Sequence, residues 1–224
     1  LVFTEANCQP ASNQWLRLMA RNFTPHTQIV LGYSGYERGK GWLHKRISFD
    51  ALFTSLRYLG FALAGKPYMG LGRNLAYRKE MFFKEKGYST HLNLQRGEDD
   101  LFINQIATPD NTRVETNSNA VIRMQPVERY KDWKEEKVSY MATARYFKGG
   151  QRYFLGFETF SRLLFYAVCT AGIAFGILNF HWLVAGIALF IWLIRYITQA
   201  IVINKTATEQ GDNRRYYFSL PVFD

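Results

Sequence analysis

The feature that most constrains the fold is the apolar segment 163–203, in which Arg195 is the one formal charge. A helix needs about 20 mostly apolar residues to cross the hydrocarbon core of a bilayer, so this segment is long enough for two crossings. A polar break at residues 179–181 lies near its middle. The sequence therefore predicts two membrane-spanning helices, about 160–179 and 182–203, joined by a tight turn. A buried hairpin in a soluble protein is the alternative, but soluble helices of this length usually carry a polar face.

Basic residues flank this segment on both sides and are absent from its turn. They are Lys131, Lys134, Lys137, Arg145, Lys148 and Arg152 before it, and Lys205, Arg214 and Arg215 after it. Segments rich in Lys and Arg stay on the cytoplasmic side of a membrane. We therefore expect both flanks, and the domain that precedes the helices, to be cytoplasmic.

The net charge indicates which class of partner to expect, and the cysteine content indicates the redox compartment. The formal net charge is +10, and much of the basic excess flanks the membrane segment, where anionic headgroups attract it. Membrane lipids are therefore an expected partner and nucleic acid is not. The two cysteines, Cys8 and Cys169, cannot form a disulfide framework and suit a reducing compartment.

The remaining pattern predicts an α/β domain over residues 1–155, the two membrane helices within 156–204, and a basic tail, 205–224, that leads into a further apolar segment. Strands are predicted at 1–4, 28–33 and 114–124, a loop followed by a strand at 69–77, a glycine-rich loop at 32–41, and helices at 10–23, 50–63, 79–86, 98–107 and 132–147. Both ends are expected to be cuts through a longer protein, because an apolar strand opens the chain and an apolar segment is beginning where it stops.

The first candidate cluster follows the opening strand. Glu5 and Asn7 are separated by one residue, and on an extended chain such residues point the same way. Two oxygen side chains in this arrangement suit a hard divalent cation. Acidic residues after strands are also common turn formers, so a purely structural interpretation stays open.

The second candidate cluster is a run of three carboxylates, Glu98, Asp99 and Asp100, where a helix is predicted to begin. Like charges held together raise the pKa of at least one member. Such a carboxylate can act as a general base or bind a metal. The alternative is a capping cluster that gains stability from the positive end of the helix dipole.

Together with the membrane hairpin, four motifs resemble the family 2 glycosyltransferases of bacterial membranes, which have the GT-A fold. In chain order they are LVFTEANCQPAS at 1–12, similar to the strand and turn of the DxD motif; GLGRNLAYRK at 70–79, similar to the strand on the acceptor side of the site; GEDDL at 97–101, similar to the acidic motif; and WKEEKVSYMATARYF at 133–147, similar to the helix with the Q-x-x-R-W or Q-x-x-R-H signature. The resemblance covers almost the whole chain. It implies a partial GT-A core on the cytoplasmic face of a bacterial inner membrane, anchored by a multi-pass hairpin.

The resemblance also implies a role for each motif. Asp99 would be the catalytic base, with Glu98 and Asp100 adjusting its pKa. Glu5 and Asn7 would hold Mg²⁺ or Mn²⁺ against the diphosphate of the donor. The other implied site residues are Gly72, Arg73 and Asn74 in the loop beside the acceptor or donor, and Trp133, Glu136, Lys137 and Arg145 on the signature helix.

Two motifs depart from the family pattern. Asn7 replaces an anionic ligand of the DxD motif with a neutral amide. In the signature helix, one register places Glu136, Ser139 and Tyr140 at the Gln, Arg and aromatic positions. A second register places Arg145-Tyr146 over the Arg-aromatic pair, with Ala142 in place of the Gln.

The implied function is inverting transfer of a sugar from a nucleotide-diphosphate donor to a saccharide or lipid-linked acceptor at the cytoplasmic membrane face. The departures leave a second interpretation open: a catalytically inactive glycosyltransferase-like membrane subunit that acts in polysaccharide assembly.

Overall fold

A computed structural model describes residues 1–89, 97–212 and 214–223. The chain forms two compact units, which are described separately. The first comprises Leu1–Lys148 with Thr206–Arg214, and the second comprises Gly149–Lys205 with Arg215–Asp224. The first unit is mixed α/β, as the sequence predicts, and the second is helical.

The described residues form strands, all of which lie in the first unit, and α-helices, which lie in both units. The strands are β1 (Val2–Phe3), β2 (Cys8–Pro10), β3 (Ile29–Gly32), β4 (Ser34–Tyr36), β5 (Leu75–Tyr77), β6 (Thr112–Glu115) and β7 (Ile122–Met124). The helices are α1 (Trp15–Arg21), α2 (Trp42–Leu63), α3 (Lys79–Lys84), α4 (Glu98–Ile106), α5 (Tyr130–Thr143), α6 (Gln151–Leu178), α7 (Trp182–Glu209) and α8 (Leu220–Phe223).

The strands form two small sheets. The first has the order β1-β5-β3-β6, in which β5 is antiparallel to both neighbours and β6 runs parallel to β3. The second has the order β2-β7-β4, with β2 antiparallel and β4 parallel to β7. Both sheets are therefore mixed, and non-local pairings join the early strands to strands about 70 to 110 residues later in the chain.

The core lies around the central strand β3. Its Ile29, Val30 and Leu31 are almost completely buried, as expected of a strand that is covered on both faces. Leu52 and Tyr58 of α2 are buried as well, and the hydroxyl of Tyr58 donates to the carbonyl of Gly32 at 2.9 Å. The long apolar helix is thereby tied to the end of the central strand.

Most predicted elements are present, but several differ in detail: α2 begins at Trp42 and not at 50, and α5 ends at Thr143 and not at 147. The single strand predicted over 114–124 is two strands, because the side chain of Asn117 accepts the backbone N–H of Asn119 and stabilises a turn of 3₁₀-helix between them. The glycine-rich loop at 32–41 contains strand β4. Pro10 does not open a helix; it is the last residue of β2, and α1 begins at Trp15.

In the second unit, α6 and α7 are each 28 residues long and apolar enough to cross a membrane. Helix α6 begins before the predicted 160 and ends at Leu178, one residue short of the predicted end, whereas α7 begins at the predicted 182 and continues beyond 203 to Glu209. Gly176 lies directly against α7: a Cβ built at this position would meet the backbone nitrogen of Ala185 at 2.6 Å. Small residues at such contacts let two helix backbones approach closely, which is how helices associate in lipid.

Candidate active site

A cleft of about 210 Å³ in the first unit collects residues from all four motifs, and we call it the acidic cleft. Its lining residues are Glu5, Gly72, Gly97, Glu98, Asp99, Asp100 and Tyr140. They come from the turn after β1, the turn before β5, the start of α4 and the middle of α5. Motifs that are far apart in the sequence therefore meet at one place, and four carboxylates line it.

The start of α4 requires glycine. Gly97 has a φ of 90°, in the left-handed region that residues with a side chain rarely adopt. A Cβ at this position would also meet the Cγ2 of Thr143 at 2.1 Å. Gly97 thus allows the carboxylates of the first helical turn to lie close to α5, the helix that forms another wall of the cleft.

Asp99 is half-buried and is held by neutral groups. The hydroxyl of Tyr88 donates to its Oδ1 at 2.6 Å. Its Oδ2 lies over Gly72, where a Cβ would come within 1.9 Å of that oxygen. Gly72 therefore admits the carboxylate because it has no side chain.

The pKa of Asp99 is raised from its ordinary value of 3.8. Burial is the largest cause, and the negative charges of Glu98 and Glu5 add to it, while the hydrogen bond from Tyr88 acts in the opposite direction. A carboxylate whose pKa is raised in a cleft is a better proton acceptor than an exposed aspartate. This arrangement suits a general base.

Asp100 differs from its neighbour in that it is only 2% exposed. Burial raises its pKa well above the ordinary value, and the adjacent charge of Asp99 raises it further, against the opposing effects of Arg73 and a hydrogen bond with Thr143. Glu98, by contrast, is exposed. Although the three carboxylates are adjacent in the chain, the structure gives them three different environments.

Arg73 forms the opposite side of the site, in what we call the arginine cluster: Arg73, Glu5, Glu136 and Tyr140. The Nε of Arg73 lies 3.2 and 3.1 Å from the two carboxylate oxygens of Glu5, and its Nη2 pairs with Glu136. The guanidinium carbon lies 5.5 Å from the centre of the Tyr140 ring. The arginine is 9% exposed, whereas the side chains of Glu5 and Glu136 are 39% and 20% exposed, so a nearly buried cation is paired with two partly solvated carboxylates.

The predicted cation ligands do not fit a divalent metal in this arrangement. Both carboxylate oxygens of Glu5 accept from Arg73, so the one anionic ligand of the pair is neutralised. Asn7 is exposed, does not line the cleft, and its Oδ1 accepts from the thiol of Cys8 at 3.4 Å. Across residues 1–89, 97–212 and 214–223, no group of three or more His, Cys, Asp or Glu side chains could hold a metal ion.

Asn74 is placed in the core and not in the cleft. Its Nδ2 donates to the carbonyls of Tyr33 at 2.7 Å and Ala120 at 2.9 Å, and its Oδ1 accepts from the Nε1 of Trp15 at 2.9 Å. The residue is 1% exposed. Its polar groups join the residue between β3 and β4, and the 3₁₀ turn before β7, to α1, so its contacts are those of a structural residue.

The predicted signature helix is divided between the cleft and the rest of the unit. Glu136 reaches Arg73, whereas Trp133 is buried with Arg46 and Lys137 near its ring, and Lys137 pairs with Asp50 on α2. Arg145 is exposed, and its guanidinium lies 4.7 Å from the ring of the adjacent Tyr146. The register that starts from Trp133 therefore places Glu136 and Tyr140 at the site.

Sequence reasoning named Tyr140 only as the aromatic position of one register of the signature helix, and it assigned no role to Tyr88, which binds Asp99. Tyr140 follows Glu136 by four positions, so helical spacing alone places the two side chains on one face. Tyr88 carries no such signal, because it lies after α3 and reaches Asp99 only through the tertiary fold.

No protein-family model matches this sequence, and no curated protein matches it.

Proposed function

We propose that the acidic cleft is the acceptor side of an inverting glycosyltransferase, which moves a sugar from a nucleotide-diphosphate donor to a saccharide or lipid-linked acceptor. The observation that carries the proposal is the placement of Asp99, a half-buried carboxylate with a raised pKa, in a cleft to which all four motifs contribute. The order of those motifs before a hairpin of apolar helices supports it.

In the proposed reaction, Asp99 accepts the proton of an acceptor hydroxyl. The oxygen of that hydroxyl forms a bond to the anomeric carbon of the donor sugar while the bond from that carbon to the diphosphate breaks. Attack from the side opposite the leaving group inverts the anomeric configuration. The carboxylates of the cleft suit an uncharged acceptor rich in hydroxyl groups and would repel the diphosphate, so we assign the cleft to the acceptor.

We further propose that the protein resides in a bacterial inner membrane with its first unit in the cytoplasm. Two helices of sufficient length and apolar character support membrane residence, and the basic flanks support the orientation. Most of their large apolar side chains are exposed, including Leu178 and Leu183 at 76% and 75%, which suits contact with lipid tails.

The orientation can be tested with single cysteines in a chain in which Cys8 and Cys169 are replaced by Ser. A membrane-impermeant maleimide added to intact cells is expected to label Phe180→Cys, in the turn between the two helices, and to label Lys148→Cys only after permeabilisation. Labelling of Lys148→Cys in intact cells would refute the proposed orientation.

A second candidate function is that of an inactive glycosyltransferase-like subunit. The arginine cluster favours it, because Glu5 is bound by Arg73 and Asn7 lies outside the cleft. Such a protein would keep the fold without turnover.

The two candidates are separated by an assay of the full chain in lipid nanodiscs with a panel of nucleotide-diphosphate sugars and hydroxyl-bearing acceptors. Release of nucleoside diphosphate together with an inverted glycoside is expected of the transferase. If no donor of the panel is turned over or bound, the transferase proposal is wrong.

A further inference from the structure

Two tyrosines that the proposed reaction does not use form a chain of hydroxyl groups that ends on Asp99. Tyr88 donates to the Oδ1 of Asp99 at 2.6 Å, and the hydroxyl oxygens of Tyr77 and Tyr88 are 3.0 Å apart. A phenol has one proton to donate. Because Tyr88 gives its proton to Asp99, Tyr77 must be the donor in the second hydrogen bond. Both bonds thus point toward the carboxylate, the direction in which each strengthens the other.

Aromatic packing fixes the positions of both hydroxyls. The ring of Tyr77 is fully buried and stacks on Phe3 with centroids 4.7 Å apart. The ring of Tyr88 meets Phe82 and Phe102 edge-on, at 5.2 and 5.7 Å. Since these rings come from β1, β5, α3 and α4, the position of the Tyr88 hydroxyl is set by the packing of several elements around it.

We propose that Tyr88, supported by Tyr77, is the residue that positions Asp99: it holds Oδ1 and leaves Oδ2, over Gly72, as the oxygen that receives the proton. This inference rests on the proposed function for the role of Asp99. Tyr88 transfers no proton itself; it donates to the same carboxylate oxygen before and after the reaction.

The hydrogen bond from Tyr88 also favours the charged form of Asp99. The other groups that act on Asp99 do the reverse: burial raises its pKa first of all, and the charges of Glu98 and Glu5 raise it further. Asp100, the adjacent residue, is itself coupled to Asp99 through their charges. Removing the Tyr88 hydroxyl therefore removes the interaction that opposes all of these, and the pKa of Asp99 should rise.

The test compares Tyr88→Phe with wild type by two measurements on the full chain in nanodiscs. The first is the infrared titration of the Asp99 carboxyl, identified by subtracting the spectrum of Asp99→Asn. The second is the pH dependence of sugar transfer. A hydrogen bond to a charged group accounts for a pKa difference of about 1–2 units, so both the titration midpoint and the acidic limb of the rate profile should move up by about that much.

Two further variants complete the design. Tyr77→Phe keeps the direct bond to Asp99 and should shift both midpoints in the same direction by a smaller amount; it also serves if Tyr88→Phe fails to fold. Tyr217→Phe, at an exposed tyrosine of the second unit, is the matched control and should shift neither.

The two measurements separate the inference from the function on which it rests. A shifted carboxyl titration without any turnover in wild type would keep the positioning role and refute the proposed transfer. An unshifted titration in folded Tyr88→Phe, or in Tyr77→Phe if that is the variant that folds, would overturn the positioning role whether or not the wild type is active.

Discussion

The two sides of the acidic cleft hold their carboxylates in opposite ways. Asp99 is half-buried beside other acids, so its pKa is raised even though it accepts a hydrogen bond from the neutral hydroxyl of Tyr88. Glu5, across the cleft, accepts from the guanidinium of Arg73, which also pairs with Glu136. A carboxylate with a raised pKa is the better proton acceptor, whereas a carboxylate paired with a nearly buried cation serves to hold the structure. Proton transfer is thus expected on the Asp99 side, and rigidity on the Arg73 side.

The three-residue turn before β5, Gly72–Asn74, contributes residues to both sides of the cleft and to the core. Gly72 touches Asp99, Arg73 binds Glu5 and Glu136, and Asn74 points into the core. Neighbouring residues of one predicted motif therefore serve the proton-accepting side, the ion-pair side and the interior. Proximity in the sequence did not predict proximity of function.

The largest effect is expected from Asn74→Asp, which tests whether this residue is structural. The change removes both donors to the buried carbonyls of Tyr33 and Ala120, and should lower the free energy of unfolding by about 3–5 kcal/mol. Chemical denaturation of the full chain in detergent measures it, with the exposed Asn119→Asp as control. A folded variant in which only the acceptor KM changes would show that Asn74 contributes to the cleft and would contradict its structural role.

A smaller effect is expected from Arg73→Met, which breaks the arginine cluster. Glu136 and Glu5 lose their cation, and since Glu5 is partly solvated the cost should be about 2–3 kcal/mol, as read from denaturation midpoints. Arg145→Met, at an exposed arginine, is the control.

Isothermal titration with Mn²⁺ should also detect tighter binding in Arg73→Met, because both oxygens of Glu5 become free. Unchanged stability would show that the cluster contributes nothing to the fold.

Asp100→Asn tests the Asp99 side of the acidic cleft through the pH dependence of the protein's stability. A carboxyl whose pKa is higher in the folded than in the unfolded state costs stability once the pH exceeds its unfolded value near 3.8, and that cost is complete above the folded pKa. The uncharged amide lacks this cost. The variant should therefore gain stability relative to wild type as the pH rises, by about 2–4 °C in Tm per kcal/mol recovered. A parallel pair of Tm curves would contradict the assigned pKa direction.

The smallest effect is expected from Asn7→Asp. Because Asn7 is exposed and lies outside the cleft, the change should alter the free energy of unfolding by less than about 0.5 kcal/mol. Isothermal titration should show no gain in Mn²⁺ affinity over wild type, since Glu5 stays bound to Arg73. A clear gain in Mn²⁺ affinity would instead support the cation site that the sequence predicts at Glu5 and Asn7.

Features that depend on local sequence pattern could be predicted from the sequence, whereas features that depend on contacts between distant residues could not. The α/β character, the paired apolar helices and the acidic start of α4 depend on local pattern, and the structure has them. The pairing of Glu5 with Arg73, 68 positions apart, and the hydrogen bond from Tyr88 to Asp99 depend on tertiary packing, which no local pattern encodes. The division of 114–124 into two strands depended on one side-chain cap, that of Asn117.

The most direct test of the central claim is the rate of sugar transfer by Asp99→Asn in the full chain, measured beside Glu98→Gln and the exposed Asp110→Asn. The amide keeps the size of the side chain and can still accept from Tyr88, but it cannot take a proton. We predict a fall in kcat of about 10²–10⁴-fold for Asp99→Asn, with donor binding retained and with both other variants within about tenfold of wild type. Transfer by Asp99→Asn at the wild-type rate would contradict the account.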